Sequence, residues 1–233
     1  MTEENDLLSN ASGLPPGAQK TKEQWLEEGK RLVFYAPTHY EEGLMAFEQA
    51  IFLDPNDGLA WWMKGYTLRA LSRYDEAISA FEQAIFLDAA HVQAYIGKGN
   101  TLYDLKRYEE ALAAYEQALR LDPISVEATS GKAISLVFLN RDEEALAAYE
   151  QVIRLDGDPA YSYIAHLNSG TILTSLSRYE EALSNYQEAV RLSPSDSNTW
   201  RKIGDMLTAL SRMQEAHQAY AKATQLGAGE DVS

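Results

Sequence analysis

"YEEALAAYEQALRLDP" spans Tyr108 to Pro123, and 34 residues later the chain reads "DEEALAAYEQVIRLDG", Asp142 to Gly157. In the first copy Tyr108, Ala111, Leu112, Tyr115, Ala118 and Leu119 recur at steps of three and four. That spacing lines one stripe of a helix. The acidic pair sits in the first turn, where it complements the positive end of the helix dipole, and Arg120, Arg154 and Arg191 sit near the other end. "LDP", "LDG" and "LSP" then stop the helix.

The interval runs through the chain. The alanine of "EEAL" appears as Ala77, Ala111, Ala145, Ala182 and Ala216, with Gly43 in the same place earlier, at steps of 34, 34, 34, 37 and 34. Four residues after each stands an aromatic: Phe47, Phe81, Tyr115, Tyr149, Tyr186 and Tyr220. The helix before each carries its own pattern. Trp61, Gly65 and Leu68 lie at i, i+4 and i+7, as do Tyr95, Gly99 and Leu102, and Trp200, Gly204 and Leu207. A glycine between two large residues admits a neighbouring helix closely, at some cost in helix propensity. No run alternates apolar and polar residues with β-branched enrichment, so no strand is predicted.

These residues make the chain resemble the tetratricopeptide repeat family, whose 34-residue pattern is W-x₂-L-G-x₂-Y, then A-x₃-F, then P. Six units match: 22–57, 58–91, 92–125, 126–159, 163–196 and 197–230, with residues 1–21 a flexible leader and 231–233 a tail. The resemblance implies an all-α, right-handed solenoid of six stacked helical hairpins, each burying its stripe against its neighbours. Departures are local. Lys64, Lys98 and Lys132 replace the usual Leu, Thr129 and His166 replace a large aromatic, two extra residues lengthen "FYAPTHY", and three precede unit five near "DPAYSY". Units one to five carry apolar pairs on the second helix, such as Leu44 with Ile51 and Leu112 with Leu119, whereas unit six has His217 and Thr224. A polar final face is expected of a terminal cap.

Composition excludes several functions. A net charge of −15 opposes binding to nucleic acid phosphates and to anionic membranes. With no cysteine there is neither disulfide nor thiolate chemistry. "MTEENDLLSN" is no signal peptide and no apolar run reaches membrane-spanning length, so the expected location is the cytoplasm. His39, His91, His166 and His217 have no partner at metal-ligand spacing. The carboxylate pairs recur at every helix start, whereas a catalytic pair needs one cleft that raises one pKa. "IGKGN" (Ile96–Asn100) lacks the spacing of a phosphate loop and falls inside a predicted helix. Lys64, Lys98 and Lys132 form a ladder whose stems are expected to pack on apolar surface with their ammonium groups on carboxylates. No catalytic residue, cofactor or metal is assigned.

A second stripe on the first helices is apolar where solvent would favour polar residues. Trp62, Tyr66, Ile96, Asn100, Tyr103, Phe138 and Leu167 are its candidate binding residues, and unit six turns polar with Asn198, Arg201 and Asp205. By the resemblance these helices line the concave face, where the family holds peptides. An apolar peptide or helix with basic flanks is the expected partner; packing between adjacent repeats is the bland alternative. Some family members clamp acidic chaperone tails with Lys, Asn and Arg. Here Ile96 and Ser130 stand where lysine is expected, leaving Asn100, Asn168, Arg201 and Lys202, so that specificity is not carried over. The expected function is a non-enzymatic protein-interaction scaffold or adaptor. The alternatives are a homodimer closed by the same stripe, or a regulatory subunit of a separately encoded enzyme.

Overall fold

The computed structural model describes residues 20–35, 39–155 and 159–230. Within them are α1 (Lys22–Tyr35), α2 (Tyr40–Leu53), α3 (Gly58–Ala70), α4 (Tyr74–Leu87), α5 (Val92–Asp104), α6 (Tyr108–Leu121), α7 (Val126–Phe138), α8 (Asp142–Leu155), α9 (Pro159–Ser175), α10 (Tyr179–Leu192), α11 (Ser197–Ala209) and α12 (Met213–Glu230). They pair in sequence as six hairpins with no strand among the described residues, the all-α solenoid class expected from the repeat. Nearly all of the leader, the lengthened first turn at 36–38 and the tail at 231–233 lie outside the described residues. The chain divides into two compact units, one ending at Gln117 and the other beginning at Ala118, within α6.

The glycine and aromatic of each hairpin fit as knob and hole. A methyl at Gly65 would meet the Phe81 ring at 2.8 Å, at Gly99 the Tyr115 ring at 2.8 Å, and at Gly204 the Tyr220 ring at 2.5 Å. Those distances are too short for a carbon to occupy without displacing the ring. Gly97 of α5 approaches Phe81 from the next hairpin, where a methyl would lie 2.5 Å away. The fourth hairpin departs: its register holds Ala133, which is buried.

Stacking follows the same logic. In the first unit Phe47 packs with Leu26 and Val33 of its own hairpin and with Ala60 and Met63 of α3. Leu44 reaches forward into the group around Phe81, Leu68 and Ala77. In the second unit Tyr186 packs with Leu173, Leu183, Ile203 and Met206. His217 and Thr224 are exposed and bond backward along their own helix, to the Met213 carbonyl at 2.7 Å and the Tyr220 carbonyl at 2.9 Å. That register of α12 is polar, as the sequence indicates.

The turn inside each of the last five hairpins is non-glycine yet left-handed. Ser72, Lys106, Asn140, Ser177 and Ser211 have φ of 59°, 61°, 55°, 58° and 61°. The following arginine N–H reaches back to the buried leucine carbonyl, as from Arg73 to Leu68 at 2.9 Å, the bond that closes a helix C-terminus. The same arginine then grips the glutamate three residues on. Arg73 Nε and Nη2 both meet Glu76 at 2.7 Å, and Arg107 meets Glu110 likewise at 2.6 Å. Glu76, Glu110, Glu144, Glu181 and Glu215 are thus ion-paired as well as dipole-complementing.

The three-residue insertion before unit five does not lengthen a loop. It is absorbed into α9, which has 17 residues where α3, α5, α7 and α11 each have 13.

Candidate functional site

The first helices of the first unit carry a run of aromatic rings. Tyr66 of α3 is 37% exposed and Phe34 of α1 is 47% exposed, with ring centroids 5.5 Å apart. Tyr66 lies 6.4 Å from Trp62, and Trp62 lies 5.8 Å from the His91 ring at the start of α5. Trp62 also has a structural role. Its indole N–H donates to the Gln93 carbonyl at 3.1 Å, and its ring packs on both apolar groups of the first unit. Trp62 therefore ties the second hairpin to the third, a role the sequence reading did not give it.

Ile96 is 1% exposed and belongs to the packing between repeats, so it presents no surface to a partner. It occupies the register of Trp62 one hairpin later, where a branched aliphatic side chain fits inside and the larger indole does not. Asn100 is half-buried and its Oδ1 accepts the Tyr115 hydroxyl at 2.6 Å. Among the described residues the carboxamide N–H groups have no acceptor, so they remain available as donors. Tyr103 is half-buried with its ring 5.7 Å from Tyr108, and burial, followed by the neighbouring Tyr108 and Asp104, pushes its phenol above the ordinary range. Asp104, expected as an acidic rim, is held by Arg69 Nε at 2.7 Å. Lys30 likewise meets Glu27 at 2.9 Å.

In the second unit, taken by itself, Phe138 is 49% exposed at the end of α7 and Leu167 is half-buried against the group around Tyr186. In α9 Asn168 donates to the Tyr149 hydroxyl at 3.0 Å, and in α11 Asp205 accepts from Tyr220 at 2.8 Å.

Phe34 escaped the sequence reading. It lies at the last turn of α1, five residues after Gly29, in the register that holds Ala70 and Asp104 in the next two hairpins. Only Phe138, at the same register, hinted at it.

Elsewhere, Lys64 meets Glu48 at 2.9 Å and Lys98 meets Glu82 at 2.6 Å, as expected for the lysine ladder. A cleft of about 320 Å³ lies between α3 and α4 beside Trp61 and Lys64, and one of about 250 Å³ lies in register beside Tyr95 and Lys98. Recurrence at one register marks both as features of the hairpin seam. Among the described residues no group of histidine and carboxylate side chains could hold a metal ion, and no helix is long and apolar enough to cross a membrane.

A tetratricopeptide-repeat family model matches residues 33–92, 63–125, 96–162, 130–197 and 167–231. The chain belongs to the tetratricopeptide-repeat family. The matched spans begin inside α1, yet the first hairpin packs as the others do: a methyl on Gly29 would lie 2.6 Å from the Phe47 ring. No curated protein sequence matches the chain. Among solved structures, a crystal structure of MamA aligns with a TM-score of 0.68 at 20% identity, covering 72% of this chain and 97% of that one. YrrB, described as a TPR protein with an unusual peptide-binding site, aligns with a TM-score of 0.67 at 22% identity over 78% of this chain and 92% of its own. A thermophilic TPR protein of Thermus thermophilus aligns with a TM-score of 0.59 at 21% identity, over 81% of this chain and 100% of its own. At these identities the likeness concerns the fold.

Proposed function

We propose that this tetratricopeptide-repeat protein is a non-enzymatic interaction scaffold or adaptor whose first unit holds an apolar segment of a partner protein. The observation that carries the reading is the partly exposed run Phe34, Tyr66 and Trp62 on the first helices, with Asn100 and Tyr103 on the next first helix. Aromatic side chains bury much area while ordering few torsions, which suits them as anchors. The Asn100 carboxamide, oriented by Tyr115, can donate to a backbone carbonyl of the partner. Phe138 and Leu167 are proposed contacts of the second unit, to be tested by their own alanine variants. YrrB's description as a peptide-binding member of the fold lends the reading support by analogy. The basic flanks expected from sequence rest now on the net charge of −15 rather than on Asp104, whose charge is met by Arg69.

The non-enzymatic reading is supported by where the titration shifts lie. The lowered glutamates, such as Glu76 and Glu110, are exposed ion pairs repeated in successive hairpins, each held down chiefly by hydrogen bonds from an arginine. A catalytic group needs a site of its own.

Selection from a random peptide-display library tests the proposal. Sequences enriched on the wild-type protein are expected to share apolar anchors and to be lost on the Tyr66→Ala variant. Enrichment of the same sequences on Tyr66→Ala would sink it.

A further inference from the structure

The ends of α2 and α4 carry a second feature that neither packing nor the aromatic face uses. Phe52 and Phe86 stand next to the last residue of α2 and of α4, and they are 79% and 80% exposed. They share one register, 34 residues apart, and in the following hairpins that register holds Arg120, Arg154, Arg191 and finally Gln225. The position therefore accommodates polar side chains, and a ring this exposed adds almost nothing to its own core.

The carboxylates two residues after the two rings differ. Asp54 and Asp88 close the two helices in the same way, their N–H groups bonding the Ala50 carbonyl at 3.0 Å and the Ala84 carbonyl at 2.9 Å. The Asp54 carboxylate is met by Lys22 Nζ at 3.0 Å. Lys22 stands seven residues before Gly29, and the residue seven before Gly65 is Gly58. Gly58 lies against the end of α4, with a methyl there 3.8 Å from the Ala84 carbonyl oxygen, but it brings no cation. Among the described residues Asp88 forms no ion pair, and its carboxylate accepts only the Ala90 N–H, at 3.0 Å. The carbonyl end of α4 adds negative potential at the same place.

We propose that Phe86 and Asp88, with Phe52 one hairpin away, form a second interaction surface that takes an arginine from a basic segment of a protein partner. A guanidinium can lie flat on the exposed ring while its N–H fork meets the carboxylate; an ammonium is a point charge that satisfies one at the expense of the other. The net charge of −15 steers a basic segment toward the molecule and disfavours a second copy of the chain.

The test uses the full chain and two labelled, end-blocked peptides of equal length and charge, one alternating arginine with alanine and the other lysine with alanine. Fluorescence anisotropy reads their affinities. The wild-type protein is expected to bind the arginine peptide about fivefold more tightly than the lysine peptide. Phe86→Gln installs the residue of the last hairpin at this register, and Gly58→Lys supplies the cation that the first hairpin already has. Each is expected to cut arginine-peptide affinity about fivefold with little change for the lysine peptide. Thermal melts of both variants check folding, and Asp88→Asn substitutes for Gly58→Lys should the latter not fold. Equal affinity of the two peptides for wild type, or no change on Phe86→Gln, overturns the proposal. So does wild-type self-association in sedimentation that Phe52→Gln with Phe86→Gln abolishes, because it assigns this surface to a second copy.

Discussion

The first two hairpins and the later ones differ by one oxygen atom in the core, and the difference appears on the surface. Phe47 and Phe81 fill the glycine holes of the first two, and the residues just after those glycines are Lys30 and Tyr66. From the third hairpin onward the ring is a tyrosine whose hydroxyl must find a partner. It finds Asn100 in the third hairpin, Thr171 and Thr174 in the fifth and Asp205 in the sixth. In the fourth hairpin the residue after Ala133 is Ile134, which offers nothing, and the Tyr149 hydroxyl accepts instead from Asn168 of α9. Tyr115, Tyr186 and Tyr220 thus bond a polar residue of their own first helix, whereas in the second hairpin the core phenylalanine leaves that position open to the Tyr66 ring. The aromatic run of the first unit lies where the oxygen is missing.

The largest test of this contrast is Phe81→Tyr. It places a hydroxyl beneath Tyr66 with no acceptor, and should destabilise the protein by about 2 kcal/mol in chemical denaturation. Adding Tyr66→Asn rebuilds the Tyr115–Asn100 arrangement and should recover most of the loss; a double variant no better than the single one breaks the comparison. The converse, Tyr115→Phe, leaves only a half-buried Asn100 oxygen unmet, so about 1 kcal/mol is expected from the same measurement.

Smaller effects test the scaffold the two regions share. Lys106 and Asn140 both adopt positive φ, but asparagine does so at lower cost than lysine. Lys106→Gly should stabilise by up to about 1 kcal/mol, with Asn140→Gly giving less, in thermal or chemical melts. The arginine–glutamate pairs occur in both units and hold Glu76, Glu110, Glu144, Glu181 and Glu215 below the ordinary carboxyl range, chiefly through hydrogen bonds from the arginines. A carboxyl with a lowered folded pKa stabilises fully above its unfolded pKa and loses that contribution as pH falls through the folded one. Stability should therefore be flat near neutrality and decline in acid below the usual glutamate range, modestly, since these groups are fully exposed. Replacing all five glutamates with glutamine should flatten that decline, and an unchanged acid profile would show the pairs to be without effect.

The fold was legible because its determinants are periodic. The alanine, aromatic and glycine positions recur at 34 residues, and each proves to be a packing contact. The site was legible only in part, because neighbouring residues on one helix stripe divide between core and surface according to size and partner. Ile96 and Trp62 share a register, yet the first is inside and the second is only partly buried and bridges two hairpins. Phe34 was invisible because exposure at a helix end depends on what the next hairpin lacks. The Arg69–Asp104 pair spans 35 residues in sequence and shows itself only once α3 and α5 lie side by side.

The central claim is that the aromatic face of the first unit holds a partner segment, and a titration tests it most directly. A peptide selected on the wild-type protein is added to wild type, to Tyr66→Ala and to Phe34→Ala, and its affinity is read by anisotropy alongside each melting temperature. Each variant should lose about 2 kcal/mol of binding, roughly thirtyfold in Kd. The melting temperature should stay close to wild type, because both rings stand partly in solvent; Trp62→Ala, which also loses its bond to Gln93, should lower affinity and melting temperature together. Unchanged affinity in both Tyr66→Ala and Phe34→Ala would contradict the account.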